Sequence, residues 1–168
     1  MIRMATPRTV NTFAAQPGRV LPYTSVDSSF PLLTHGRLEQ GIASRNGDVS
    51  TVWEFLASAR DLASRLPARR YAINLCRDRY QFLIAFAAAL IAQQISLLPN
   101  CCAPEALSQL TERYPDAYVL ADHNDVPSGM ALCCVPDCGQ AIDRRADIPA
   151  IPSQQVAVIV FTSGSSGV

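Results

Sequence analysis

The sequence predicts an α/β domain, a parallel sheet whose strands are joined by crossover helices. Three observations predict it. From Thr51 onward, apolar runs of strand length alternate with helical segments across short joints, the pattern of βαβ units. One helical segment, from Arg79 to about Gln93, is apolar almost all round, as a helix enclosed in protein is. Finally, Val156 to Phe161 reads VAVIVF, six consecutive apolar residues rich in β-branched types. That composition is typical of a strand covered on both faces, so an interior position is expected for it.

Along the chain, residues 1–27 are rich in Thr, Pro, Ser and Asn and lack periodicity. They read as an irregular leader ahead of a domain over 28–168. Phe30-Pro31-Leu32-Leu33 is expected to pack at the domain edge, and Asn46-Gly47-Asp48 is a turn signal. The first clear helix starts near Ser50. Thr51 and Glu54 have capping-box spacing, in which each side chain satisfies a free backbone donor. Val52, Phe55, Leu56, Ala59, Leu62, Ala63 and Leu66 then recur at helical spacing, with Arg60, Asp61 and Arg65 opposite, until Pro67 stops the helix.

Tyr71 to Cys76 is a run of strand length. Asp78 is placed to cap the apolar helix that follows, with Gln81 three residues on. Ile95 to Leu98 is a second strand, closed by Pro99-Asn100. Pro104 suits the first turn of a third helix, running to about Tyr114. Ala117 to Ala121 is a third strand, and Ala131 to Val135 a weaker candidate. Pro136 to Gln155, which also contains Pro149 and Pro152, reads as a loop.

The 168 residues suffice for one domain with a sizeable core. Hydrophobic residues make up 49% and charged residues 17%, a globular composition. Lys+Arg and Asp+Glu each total 14, so there is no basic surplus to favour nucleic acid or an anionic membrane. No apolar run follows the basic start, as a secretory signal requires. The longest apolar stretch, Phe82 to Ala92, falls short of the roughly 20 residues that span a bilayer. A cytoplasmic chain with no membrane span is expected. Six cysteines stand at 76, 101, 102, 133, 134 and 138. None forms a CxxC pair and neither histidine is near them in sequence, so reduced thiols without a structural metal are expected.

Several polar residues within these elements have both a structural and a functional reading. Arg77, Asp78 and Arg79 follow a strand end and are expected to serve as a helix cap and solvated charges. Asn74, inside a strand, is expected to bond a neighbouring loop. His35 and His123 lie in polar, loop-like stretches and read as surface histidines. Trp53, at a helix start, reads as a packing residue.

The segment after VAVIVF carries the chemistry: Thr162-Ser163-Gly164-Ser165-Ser166-Gly167-Val168. Glycines admit positive φ and close approach to a ligand. Successive backbone N–H groups converge on an anion in such loops, and four hydroxyls add donors. Ligands of open α/β sheets bind beyond the carboxyl ends of the strands, where this loop is expected. A phosphate is the natural guest. A Walker loop needs Lys-Ser/Thr after the second glycine, but Val168 stands there; a dinucleotide fingerprint needs a further glycine. A plain Gly/Ser linker is the remaining rival, although linkers seldom follow a buried strand without a spacer.

VIVFTSGSSGV resembles the phosphate-binding signature of the adenylate-forming superfamily, which includes acyl-CoA synthetases, adenylation domains of peptide synthetases and luciferases. Thr162 to Val168 match every position of that pattern the chain contains. The upstream order of helix, strand, buried helix, strand, helix and strand is also similar, so the resemblance covers about residues 40–168. NLCRDRYQF with SLLPN further resembles the AMP-ligase-type proteins of aryl-polyene and xanthomonadin clusters, which implies an aromatic acid.

The resemblance implies ATP with Mg²⁺, a carboxylic acid substrate, and the thiol of CoA or a carrier protein as acyl acceptor. Thr162, Ser163, Gly164, Ser165, Ser166 and Gly167 would be the ATP-binding residues. It further implies a partial AMP-binding domain cut within the loop, since the family's loop Lys, ribose contact, acyl pocket and small carboxyl-terminal domain lie further along. Residues 1–168 alone are then expected to be inactive. A non-catalytic remnant or interaction module of the same fold is the alternative, and a P-loop-like hydrolase a third reading.

Overall fold

The computed structural model describes residues 28–34, 37–45, 47–127, 129–136 and 147–161. Its centre is a five-stranded sheet, every pairing parallel, in the order β7-β6-β4-β5-β9. The strands are β4 (Tyr71–Asn74), β5 (Ile95–Leu98), β6 (Ala117–Ala121), β7 (Leu132–Cys134) and β9 (Val158–Val160). Helices α1 (Val52–Arg65), α2 (Arg79–Ile91) and α3 (Pro104–Arg113) cover it. The α/β class and the parallel sheet with crossover helices are as the sequence predicts.

The pleat sorts the core into two layers, because successive strand residues face opposite sides. Ala72 of β4 with Tyr118 and Leu120 of β6 meet α1 and α2 through Leu56, Leu62 and Ile84. Ile73 of β4 with Ala117, Val119 and Ala121 of β6 meet Leu107 and Leu110 of α3 on the other side. Each fully buried Leu or Ile stabilises the fold by about 1.5–3 kcal/mol relative to exposure.

Helix α1 begins as its cap dictates. Thr51 Oγ1 accepts the Glu54 N–H at 3.2 Å, and Glu54 Oε2 accepts the Thr51 N–H at 2.7 Å. The backbone N–H of Trp53 donates to Leu38 O, and its ring is half-buried. Asp78 caps α2 through the N–H groups of Tyr80 and Gln81. Most of α2 is buried as expected, but Leu83 is 46% exposed.

Four strands lie where no strand was expected. β2 (Gly41–Arg45) and β3 (Asp48–Thr51) form an antiparallel hairpin across the anticipated turn, with Gly47 at φ +93°. β8 (Ala150–Pro152) sits inside the stretch read as a loop and pairs antiparallel with β1 (Ser29–Pro31). Leu32 and Leu33 pack half-buried against the outside of the core, as the expected place at the domain edge requires, whereas Phe30 is exposed.

β9 corrects a further expectation. It is an edge strand, paired only with β5 among the described residues, and it covers Val158–Val160 instead of all six apolar positions. Ile159 and Phe161 pack on the α3 side, but Val156 is 52% and Val160 61% exposed. An apolar run records that both faces favour cover; it does not record which neighbour supplies it.

Candidate functional site

Because β4, β5, β6 and β9 are parallel, their carboxyl ends lie along one side of the sheet. β5 pairs with one edge of β4, while β6 and then β7 extend from the other. The winding therefore reverses between β4 and β6, and doubly wound sheets bind ligands outside the strand ends at such a point. A cavity of about 530 Å³ occupies this position. It is lined by Asn74, Leu75 and Cys76 at the end of β4, Leu98 and Pro99 at the end of β5, and His123, Asp125 and Val126 after β6, with Phe82 and Leu107 from the helices.

The cavity's polar groups are held locally. Buried Asn74 donates from Nδ2 to Phe82 O at 3.0 Å, and its Oδ1 accepts the Cys76 N–H at 3.2 Å. It thus ties the end of β4 to the first turn of α2, where a bond to a neighbouring loop was expected. Asp122 follows β6 and accepts backbone N–H groups from Arg77 at 3.1 Å and Asp78 at 2.7 Å. Burial alone would raise the Asp122 pKa, but those backbone hydrogen bonds outweigh it and hold the carboxyl below the usual range. Arg77 reaches Asp125 at 2.7 Å, an exposed pair. Burial, assisted by the negative charge of Asp122, pushes the Cys76 thiol up to about 12.

His123 is not the surface residue its polar setting suggested. It is half-buried in the cavity wall, with Nε2 3.3 Å from Leu75 O and a buried Nδ1 that has no hydrogen-bond partner. Sequence reading also passed over Asp122. Its available signal was an acidic residue directly after a strand. Arg77, Asp78 and Arg79 behave as the cap and exposed charges expected of them, with the added clasp of Asp122. His35 lies outside the described residues.

At the opposite edge, β9 hands the chain to Phe161, whose ring meets Tyr114 edge-on at 6.1 Å. Phe161 N–H donates to Leu98 O at 3.1 Å, which fixes it beside the end of β5. A smaller cavity of about 250 Å³ opens there between Pro99, Asn100 and Phe161 and the Arg113 end of α3. The expected phosphate-binding residues Thr162, Ser163, Gly164, Ser165, Ser166 and Gly167 lie outside the described residues. Among the described residues no three His, Cys, Asp or Glu side chains are grouped to hold a metal ion, and Cys138 is outside them. No described helix is long and apolar enough to cross a membrane.

No protein-family model matches the chain, and no curated protein matches it either. Solved structures do. A malonyl-CoA ligase, solved as a ternary product complex with methylmalonyl-CoA and AMP, matches with TM-score 0.60 and 22% identity over 82% of this chain and 30% of that one. The N-terminal subdomain of Klebsiella oxytoca NpsA matches with TM-score 0.54 and 19% identity over 73% of this chain and 34% of that one. O-succinylbenzoate coenzyme A synthetase (MenE) of Bacillus subtilis, in complex with AMP, matches with TM-score 0.54 and 14% identity over 73% of this chain and 35% of that one. The chain thus spans about a third of the length of these structures. At such identities the likeness establishes the fold, that of the N-terminal subdomain of adenylate-forming enzymes.

Proposed function

We propose that this chain is the opening portion of an ATP-dependent carboxylic acid-activating ligase. The observation that carries the reading is the junction at Phe161. A parallel strand in this fold ends at Val160, and Phe161 leads directly into Thr162-Ser163-Gly164-Ser165-Ser166-Gly167 in the sequence. The loop contains hydroxyls and glycines but no carboxylate, so it suits phosphate oxygens, and Mg²⁺ would arrive with the nucleotide as part of the substrate.

In the proposed reaction a carboxylate oxygen attacks the α-phosphorus of ATP. The bond to the β-phosphate breaks, pyrophosphate leaves and an acyl-adenylate forms. A thiol of CoA or a carrier protein then loses its proton and attacks the acyl carbon, and AMP leaves. The loop would hold the β- and γ-phosphates and stabilise the charge that grows on the departing pyrophosphate. An aromatic acid is the first candidate substrate. NLCRDRYQF and SLLPN support it by resemblance, and NpsA has been solved with 3-hydroxybenzoyl-AMSN.

The test is acid-dependent exchange of labelled pyrophosphate into ATP, run on the product of the whole reading frame with aromatic and aliphatic acids. Exchange with an acid of either class supports the reading, and preference for aromatic acids supports its finer part. Absence of exchange with every acid, or ATP hydrolysis that needs no acid, overturns it.

A further inference from the structure

We propose that the crevice at the carboxyl ends of β4 and β6 binds an uncharged, largely apolar aromatic ligand, and that Asp122 closes it to phosphate and other anions. Neither part depends on the reading of the loop after Phe161. The crevice stands where a doubly wound sheet ordinarily receives its ligand, and its volume of about 530 Å³ is that of a small-molecule site. Leu75, Phe82, Leu98, Leu107, Val126 and Pro127 make most of its wall apolar.

The features that would attract an anion are already engaged. The two backbone N–H groups at the entry to α2, on Arg77 and Asp78, both point to the Asp122 carboxylate. In a switch-point site those donors would otherwise face a phosphate. The Arg77 guanidinium is turned to Asp125. A ligand anion would thus compete with two resident carboxylates for the same donors. Asn74 is satisfied at both ends of its amide by Phe82 O and Cys76 N. His123 Nε2 donates to Leu75 O, which leaves Nδ1 as the one ring nitrogen without a partner among the described residues. The wall is therefore largely apolar, with its named polar groups engaged apart from His123 Nδ1, and the ligand chemistry that fits it carries no charge and at most one polar group to meet that nitrogen.

The probes are indole and indole-3-acetate, one ring system with and without a negative charge, together with inorganic pyrophosphate. Each is titrated into the full chain while ¹H–¹⁵N spectra are recorded. Indole is expected to move the amides of Cys76, Arg77, Cys102 and Val126 saturably, with a Kd of about 1 mM or tighter. Indole-3-acetate should bind at least about tenfold more weakly, and pyrophosphate should leave these four amides in place. Val126→Trp, which fills the crevice from the half-buried loop after β6, should abolish the indole shifts while the remaining spectrum stays that of the folded chain. Asp122→Asn should narrow the gap between the two indoles several-fold. Two results would overturn the proposal without recourse to any variant: no saturable indole shifts at these amides, or equal binding of indole and indole-3-acetate by the unaltered chain.

Discussion

Asp122 Oδ2 lies 2.7 Å from the backbone N–H of Asp78, so the residue after β6 clasps the N-cap residue of α2. Asp78 in turn accepts from Tyr80 and Gln81. Two carboxylates in series thus order the first turn of α2 and the end of β4, directly behind Cys76 and Arg77 of the crevice wall.

Removing the clasp has a predictable pH signature. Asp122→Ala leaves the Arg77 and Asp78 donors without their acceptor and should cost about 1–3 kcal/mol at pH 7. The folded Asp122 pKa is depressed, so its stabilisation is present above the unfolded pKa of about 3.9. That contribution fades as pH falls through the lower folded value. Urea midpoints at pH 7 and near pH 3 test this: the gap between the unaltered chain and the variant should shrink in acid. An unchanged gap would mean the carboxylate's charge contributes nothing.

A second prediction concerns the core layer facing α1 and α2. Tyr118 is buried and its hydroxyl donates to Gln94 Oε1 at 2.6 Å, while Gln94 Nε2 donates to Pro67 O at 2.7 Å. Tyr118→Phe should cost about 1–3 kcal/mol, because it strands the buried Gln94 oxygen. Burial also raises the Tyr118 pKa, so the phenol should remain protonated through pH 10 in the native chain. Denaturant titration and ultraviolet tyrosinate absorbance measure the two effects separately.

The thiols should differ sharply in reactivity. Only the thiolate attacks an electrophile, and burial next to Asp122 lifts Cys76 to about 12. Cys101, Cys102 and Cys134 are exposed. Brief iodoacetamide treatment at pH 7–9, read by peptide mass spectrometry, should label those three well before Cys76. Early labelling of Cys76 would show that the end of β4 opens readily.

What was legible in the sequence was mostly local. The Thr51–Glu54 box and the Asp78 cap are interactions three residues long, and both formed as read. β5 and β6 match their anticipated limits because each is a short apolar run bounded by polar or turn residues. The pairing of β1 with β8 was invisible: Phe30 and Ile151 are partners more than a hundred positions apart, and neither three-residue strand shows periodicity. The β2–β3 hairpin showed only its turn, since Gly41 to Thr51 does not alternate. The His123 and Asp122 setting depends on β4 and β6 being neighbours, a property of strand order that no segment contains by itself. VAVIVF announced its apolar demand, but its edge position followed from the sheet.

The last prediction concerns Thr162 to Gly167 in the whole ligase proposed above. If the loop meets the pyrophosphate portion of ATP, it faces charge that grows as the α-phosphate bond breaks. Contacts that strengthen in the transition state lower the rate when lost, whereas contacts shared with the ground state mainly raise KM. Loss of one preorganised donor of this kind costs on the order of 3 kcal/mol, a hundredfold or more in rate. A hydroxyl with neighbouring hydroxyls to substitute for it should cost less, so Thr162→Ala or Ser163→Ala is expected to slow adenylation by roughly tenfold or more. Gly164→Val should be worse, because a β-branched side chain resists positive φ and blocks the approach of phosphate. Steady-state kinetics with acid and ATP varied separately distinguish these effects: kcat should fall while the KM for the acid holds. If Gly164→Val left both the rate and the ATP dependence unchanged, the segment would be a Gly/Ser linker, and the phosphates would have to be held elsewhere.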